Sequence, residues 1–200
     1  MPSNPNEIHR LIGDLQMTAM GRVSFAAIGH LRQNAPPCHH DDTVPCHEPP
    51  AKRPITKDLS VPERTRTLIS DYLEAFNAGS SEAMVALLHE DVVHDINQGG
   101  REIGREKFRW FNAMMAQHYR EELSDIVIMV SADGHHGAAE FTVKGSYLKT
   151  AEGLPAARGQ TYSLSAGIFF EVDDGQISRV TTCYNLQDWI AQIEKDGRDG

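Results

Sequence analysis

Tyr72 and Asp95 bring a phenol and a carboxylate into one short stretch of chain. A phenol can hydrogen-bond a developing oxyanion while a carboxylate moves a proton, and together they can catalyse enolisation next to a carbonyl. Both lie in DYLEAFNAGSSEAMVALLHEDVVHDINQGGREIGREKF, residues 71–108. Acids are depleted inside strands, so Asp95 needs a paired, solvated or chemical role. His94 competes with it. Adjacent strand residues point to opposite faces, so only one of the two enters a pocket, and register decides which. Asn97 shares the face of Asp95 and can orient it.

These residues are positioned by a regular series of elements. Ser60 with Glu63 makes a capping box, Pro62 fits the first turn, and Leu68, Ile69, Tyr72, Leu73 and Phe76 recur at helical spacing. This predicts a helix over 61–77 that ends at Gly79. Ser80 or Ser81 caps a second, shorter helix carrying Met84, Leu87 and Leu88. DVVHDIN reads as a strand closed by Gly99-Gly100. A third helix over 105–119 places Phe108, Phe111, Met114 or Met115 and His118 on one side, His118 reading as a packing residue. Four β-type runs follow, ELSDIVIMV, HGAAEFTVKGSYLKT, GQTYSLSAGIFFEV and QISRVTTCYNL, and LQDWIAQIEK reads as a closing helix. Helices first and an antiparallel meander afterwards give the α+β class. Alternation in the second run puts Ala139, Phe141, Val143 and Tyr147 on one face and Glu140, Thr142 and Lys144 on the other, wet face.

Composition divides the chain near residue 57. Eight of ten prolines, two of three cysteines and five of ten histidines precede Asp58. Residues 1–57 read as an N-terminal extension, largely disordered, and 58–200 as the folded domain. Cys38, His39, His40, Cys46 and His47 are spaced too irregularly for a zinc site, so no metal is expected. The first part faintly suggests a transit peptide, but Glu7 and Asp14 argue against one. The folded part holds thirteen Lys and Arg against twenty-three Asp and Glu, a net charge of −10 that argues against nucleic-acid binding. No apolar run reaches the roughly 18 residues of a membrane span. Few cysteines suggest a reducing, cytoplasmic setting. No glycine-rich phosphate loop follows a strand.

Residues 60–190 resemble the nuclear transport factor 2-like superfamily, and within it the ketosteroid isomerase and SnoaL-like polyketide cyclase group. The features that carry this are YLEAFNAGSSEAMVALLHED, the strand VVHD, the helix opened by GREKF and the hairpin FFEVDDGQISRVTTCYN. The resemblance implies a cone-shaped fold, three N-terminal helices on a strongly curved, mostly antiparallel sheet, with a mouth that admits an apolar ligand. It places Tyr72 at the phenolic donor of the isomerase and Asp95 at its proton-shuttling carboxylate, with His94 as the base if the register slips by one. The isomerase's second, acidic donor would fall on Gly167 or Ile168, which cannot donate from a side chain, so steroid isomerisation proper is not implied. Trp110, Phe111, Met114, Tyr147, Tyr162, Phe169 and Tyr184 are candidate ligand-binding wall residues. The expected function is binding of an apolar carbonyl compound, with cofactor-independent isomerase, cyclase or lyase chemistry. The alternative is a non-catalytic ligand-binding or dimerisation module. A homodimer through the outer sheet face is expected, supported by Val127, Met129, Ile168 and Phe170.

Overall fold

The structure, a computed structural model, describes residues 59–97 and 99–196. The N-terminal extension, with its cysteines and histidines, lies outside the described residues. Among those residues no helix is long and apolar enough to cross a membrane.

The chain begins with helix α1 (Val61–Asn77), as its spacing predicts. The Glu63 carboxylate accepts hydrogen bonds from the Ser60 backbone N–H (2.8 Å) and hydroxyl (2.7 Å), satisfying the first turn. Ile69, Tyr72, Leu73 and Ala75 form its buried stripe. Helix α2 (Ser81–Ala86) contributes buried Met84 and Val85. It is followed by β1 (Leu88–Asp95), which starts earlier than expected because Leu88 has already passed from the helix stripe into the sheet. Strand β2 (Arg101–Ile103) is three residues long, too short to leave a periodic signal. Then come α3 (Arg105–His118), β3 (Tyr119–Val130), β4 (His136–Tyr147), β5 (Thr161–Asp173), β6 (Gln176–Tyr184) and α4 (Leu186–Asp196).

The class is α+β. Six strands form one sheet in the order β2-β1-β6-β5-β4-β3, antiparallel throughout except for β1 beside β6. Helix α1 lies against β3, α3 against β1 and α4 against β5. Asn77 clips the end of α1 to β3, donating to the Leu123 carbonyl (2.9 Å) and accepting from its N–H (2.7 Å). The β3 register shifts between Ser124 and Val127, where Asp125 takes a positive φ of 56°, a bulge that bends the strand. Gly137 lets α1 close on the sheet, since a Cβ there would overlap Ile69.

Alternation on β4 and β5 is regular. Ala139, Phe141, Val143 and Tyr147 point inward, as do Tyr162, Leu164, Ile168 and Phe170. Ile168 and Phe170 therefore do not belong to an outer apolar patch. Phe169, 55% exposed, lies on that face with Val127 and Met129.

Candidate active site

The inner face of the sheet and the helices enclose a cavity of about 370 Å³. Tyr72 reaches it from α1, His94 from β1, Phe111, Asn112 and Met114 from α3, Glu121 from β3, and Tyr162 from β5. Inward and outward rows across the paired strands fix which groups enter. One inward row runs His94, Val180, Phe170, since His94 is opposite Val180 and Val180 opposite Phe170. The Phe170 ring meets the Tyr72 ring edge-on at 5.3 Å, so this row joins the histidine to the tyrosine. The adjacent row runs Asp95, Thr181, Phe169 and belongs to the outer face.

Asp95 is thus not in the cavity, and the expectation that it enters is corrected. Its carboxylate sits between two guanidinium groups, 2.6 Å from Arg101 Nε and 2.7 Å from Arg179 Nε, and accepts from the Thr181 hydroxyl at 3.2 Å. Arg179 also binds Glu171 at 3.0 Å, which completes a surface ladder of alternating charge. The hydrogen bond from Arg101, supported by Arg179 and Thr181, holds the Asp95 pKa down at about 2.

His94 takes the inward place. It is 5% exposed, between Phe108 (4.9 Å) and Phe111 (4.7 Å), and burial among these rings lowers its pKa to about 4. Its imidazole is neutral at neutral pH, and Nδ1 is buried without a hydrogen-bond partner among the described residues. Glu102 faces it directly across the β1–β2 pair. Tyr72 is 3% exposed, makes no hydrogen bond to a described residue, and has its phenol pKa raised by burial.

Of the wall residues expected from sequence, Phe111, Met114, Tyr162 and Tyr184 line the cavity. Asn97 lines it too, but its amide exchanges hydrogen bonds with the Tyr184 backbone, at 3.3 Å and 3.5 Å, and does not orient Asp95. Three others are corrected. Trp110 lies on the outer side of α3, 38% exposed, and Phe169 is on the outer sheet face. Tyr147 stands behind the wall, stacked on Tyr119 at 5.4 Å, with its hydroxyl accepting from the Ala151 N–H at 2.8 Å. His118, read as a packing residue, lines the cavity and has Nδ1 2.9 Å from the Lys149 carbonyl.

Asn112 and Glu121 are among the cavity residues that escaped the sequence reading. Asn112 has an amide nitrogen that is buried without a hydrogen-bond partner among the described residues, and Glu121 accepts a 2.6 Å hydrogen bond from the Tyr162 hydroxyl. Burial raises the Glu121 pKa, only partly offset by that bond. Strand alternation gave a usable signal for Glu121, because it precedes buried Leu123 by two residues.

The SnoaL-like domain family matches residues 69–180, more than half of the chain. The chain belongs to this SnoaL-like family. A "putative polyketide cyclase" from Xanthomonas campestris is 54% identical, with 67% of this chain and 99% of that chain covered and a TM-score of 0.66. One of the same description from Pseudomonas putida is 52% identical, covers 68% and 98%, and has a TM-score of 0.63. A nuclear transport factor 2-like protein of unknown function from Burkholderia pseudomallei, 16% identical over 65% of this chain and 97% of that one, shares the fold at a TM-score of 0.56. No curated protein matches. The SnoaL-like chain thus has a nuclear transport factor 2-like fold around its cavity.

Proposed function

We propose that this SnoaL-like protein binds an apolar carbonyl compound and catalyses a cofactor-independent isomerase, cyclase or lyase reaction that begins with enolisation. The observation that carries this reading is that Tyr72 and His94 line one cavity. His94 replaces Asp95 as the base. Neutral imidazole whose conjugate acid has a pKa of about 4 is roughly as basic as a carboxylate, and it needs no counter-charge in an apolar site. His94 takes the α-proton through a ring nitrogen, the carbonyl π bond accepts the electron pair, and the Tyr72 hydroxyl donates a hydrogen bond to the enolate oxygen. Returning the proton to a different carbon gives an isomer; attack by the enolate carbon on a second carbonyl gives a ring. The raised phenol pKa keeps Tyr72 a hydrogen-bond donor at neutral pH. The solved "putative polyketide cyclase" structures at 54% and 52% identity support this reaction class.

Exchange of the α-protons of a cyclic ketone such as 2-tetralone in deuterated water, followed by proton NMR, tests the step. Saturable ketone binding without exchange favours a non-catalytic binding module.

We also propose that the protein is a homodimer through the outer sheet face. Phe169, Met129 and Val127 are 55%, 48% and 54% exposed there, and Ala138 lies between Phe169 and Met129 in register. An apolar group of this kind on an open sheet face favours a partner surface.

A further inference from the structure

Glu121 is a built feature of the cavity. In register, Glu121 on β3 is opposite Gly145 on β4, and Gly145 is opposite Tyr162 on β5. A Cβ at position 145 would overlap the Tyr162 ring. The missing side chain thus lets a phenol rooted on one strand cross its neighbour and bond a carboxyl on the next. The Tyr162 ring is packed edge-on by Trp189 at 5.9 Å. One oxygen of Glu121 is thereby fixed at 2.6 Å from the phenol, while Oε2 makes no hydrogen bond to a described residue.

This group stands apart from His94. The His94 row meets β5 at Phe170, eight residues from Tyr162, up to about 26 Å of extended strand. Between them β5 presents Leu164, Ala166 and Ile168 to the cavity. Along β5 the two polar groups are thus separated by apolar side chains.

We infer that the cavity takes an uncharged ligand that carries, besides the carbonyl at the Tyr72 and His94 pole, a second oxygen function hydrogen-bonded to Glu121, and that it excludes anions. This rests on the reading of the cavity as a ligand site. Among the described residues that line it there is no Lys or Arg, whereas Glu121 and Glu152 both do. A ligand carboxylate or phosphate would lose its hydration beside a carboxyl with no opposing charge, which is costly. Burial raises the Glu121 pKa and so disfavours its charged form and pairing with a cation, while Oε2 is open to a hydrogen bond with a ligand hydroxyl or carbonyl group.

The test is equilibrium binding of three matched probes, 2-naphthol, 2-naphthoate and 2-naphthylmethylammonium, to the full chain at neutral pH. The expected result is saturable naphthol binding at least about tenfold tighter than either ion. Glu121→Leu weakens naphthol by about tenfold, and the neutral isostere Glu121→Gln keeps it within about threefold, with thermal melts confirming that both variants fold. Naphthoate or the ammonium binding as tightly as naphthol to the unmodified protein overturns the inference. Failure of every probe to saturate overturns the ligand-site reading as well. Selective naphthol binding combined with unaltered ketone exchange in His94→Gln removes the proposed chemistry and leaves the charge selectivity standing.

Discussion

Arg179 on β6 places its guanidinium 2.7 Å from the Asp95 carboxylate on β1, on the sheet face opposite the cavity. With Arg101 on the other side, Asp95 is the centre of a structural ladder. Asp95→Asn is expected to leave ketone binding unchanged and to lower folding stability by on the order of 1–2 kcal/mol in urea denaturation. Weakened ligand binding with unchanged stability would contradict this placement.

The swap between His94 and Asp95 shows what sequence can and cannot decide. The strand, its β-branched residues and the Gly99-Gly100 turn are legible, and so is the rule that only one of the two enters. The choice depends on pairing partners. Arg101 directly opposes Asp95 once the β1–β2 hairpin forms, and Arg179 comes from a strand 84 residues away. The hairpin partner was within reach of a local reading; Arg179 was not. Helix α1 was legible to its ends because the Ser60–Glu63 cap and the apolar stripe are both local. Phe169 was misplaced as a wall residue because FF in a strand leaves open which ring faces in. Glu121 was within reach of alternation through Leu123, but its pairing with Tyr162 across Gly145 is a relation over three strands that no spacing along the chain encodes.

Stability should depend on pH through His94. The unfolded imidazole titrates near its ordinary value of 6.5 and the folded one near about 4, so between these values the native state binds fewer protons. The full contribution is present above pH 6.5 and is lost progressively as pH falls toward 4, by up to about 3 kcal/mol. Urea denaturation across that window should show the slope in the native protein and a shallower one in His94→Leu. Equal slopes would place His94 in solvent.

Gly145→Ala sets a methyl group against the Tyr162 ring and is expected to cost about 1–3 kcal/mol. In a Tyr162→Ala background the same substitution should be nearly neutral, a coupling that a double-mutant cycle measures directly. Additive losses would mean that the phenol does not lie over Gly145.

The dimer proposal places Phe169 at a partner surface. Phe169→Asp is expected to convert dimer to monomer in sedimentation velocity without loss of fold. A native protein that sediments as a monomer, or a mutant that remains dimeric, would move the interface elsewhere.

His94, and not its neighbour Asp95, is the proposed base in the cavity. α-Proton exchange of 2-tetralone into deuterated water, compared among the native protein, His94→Gln and Asp95→Asn, tests it most directly. A loss of at least about 10²-fold is expected in His94→Gln and a rate within about twofold of native in Asp95→Asn. Retained exchange in His94→Gln together with loss in Asp95→Asn would contradict it.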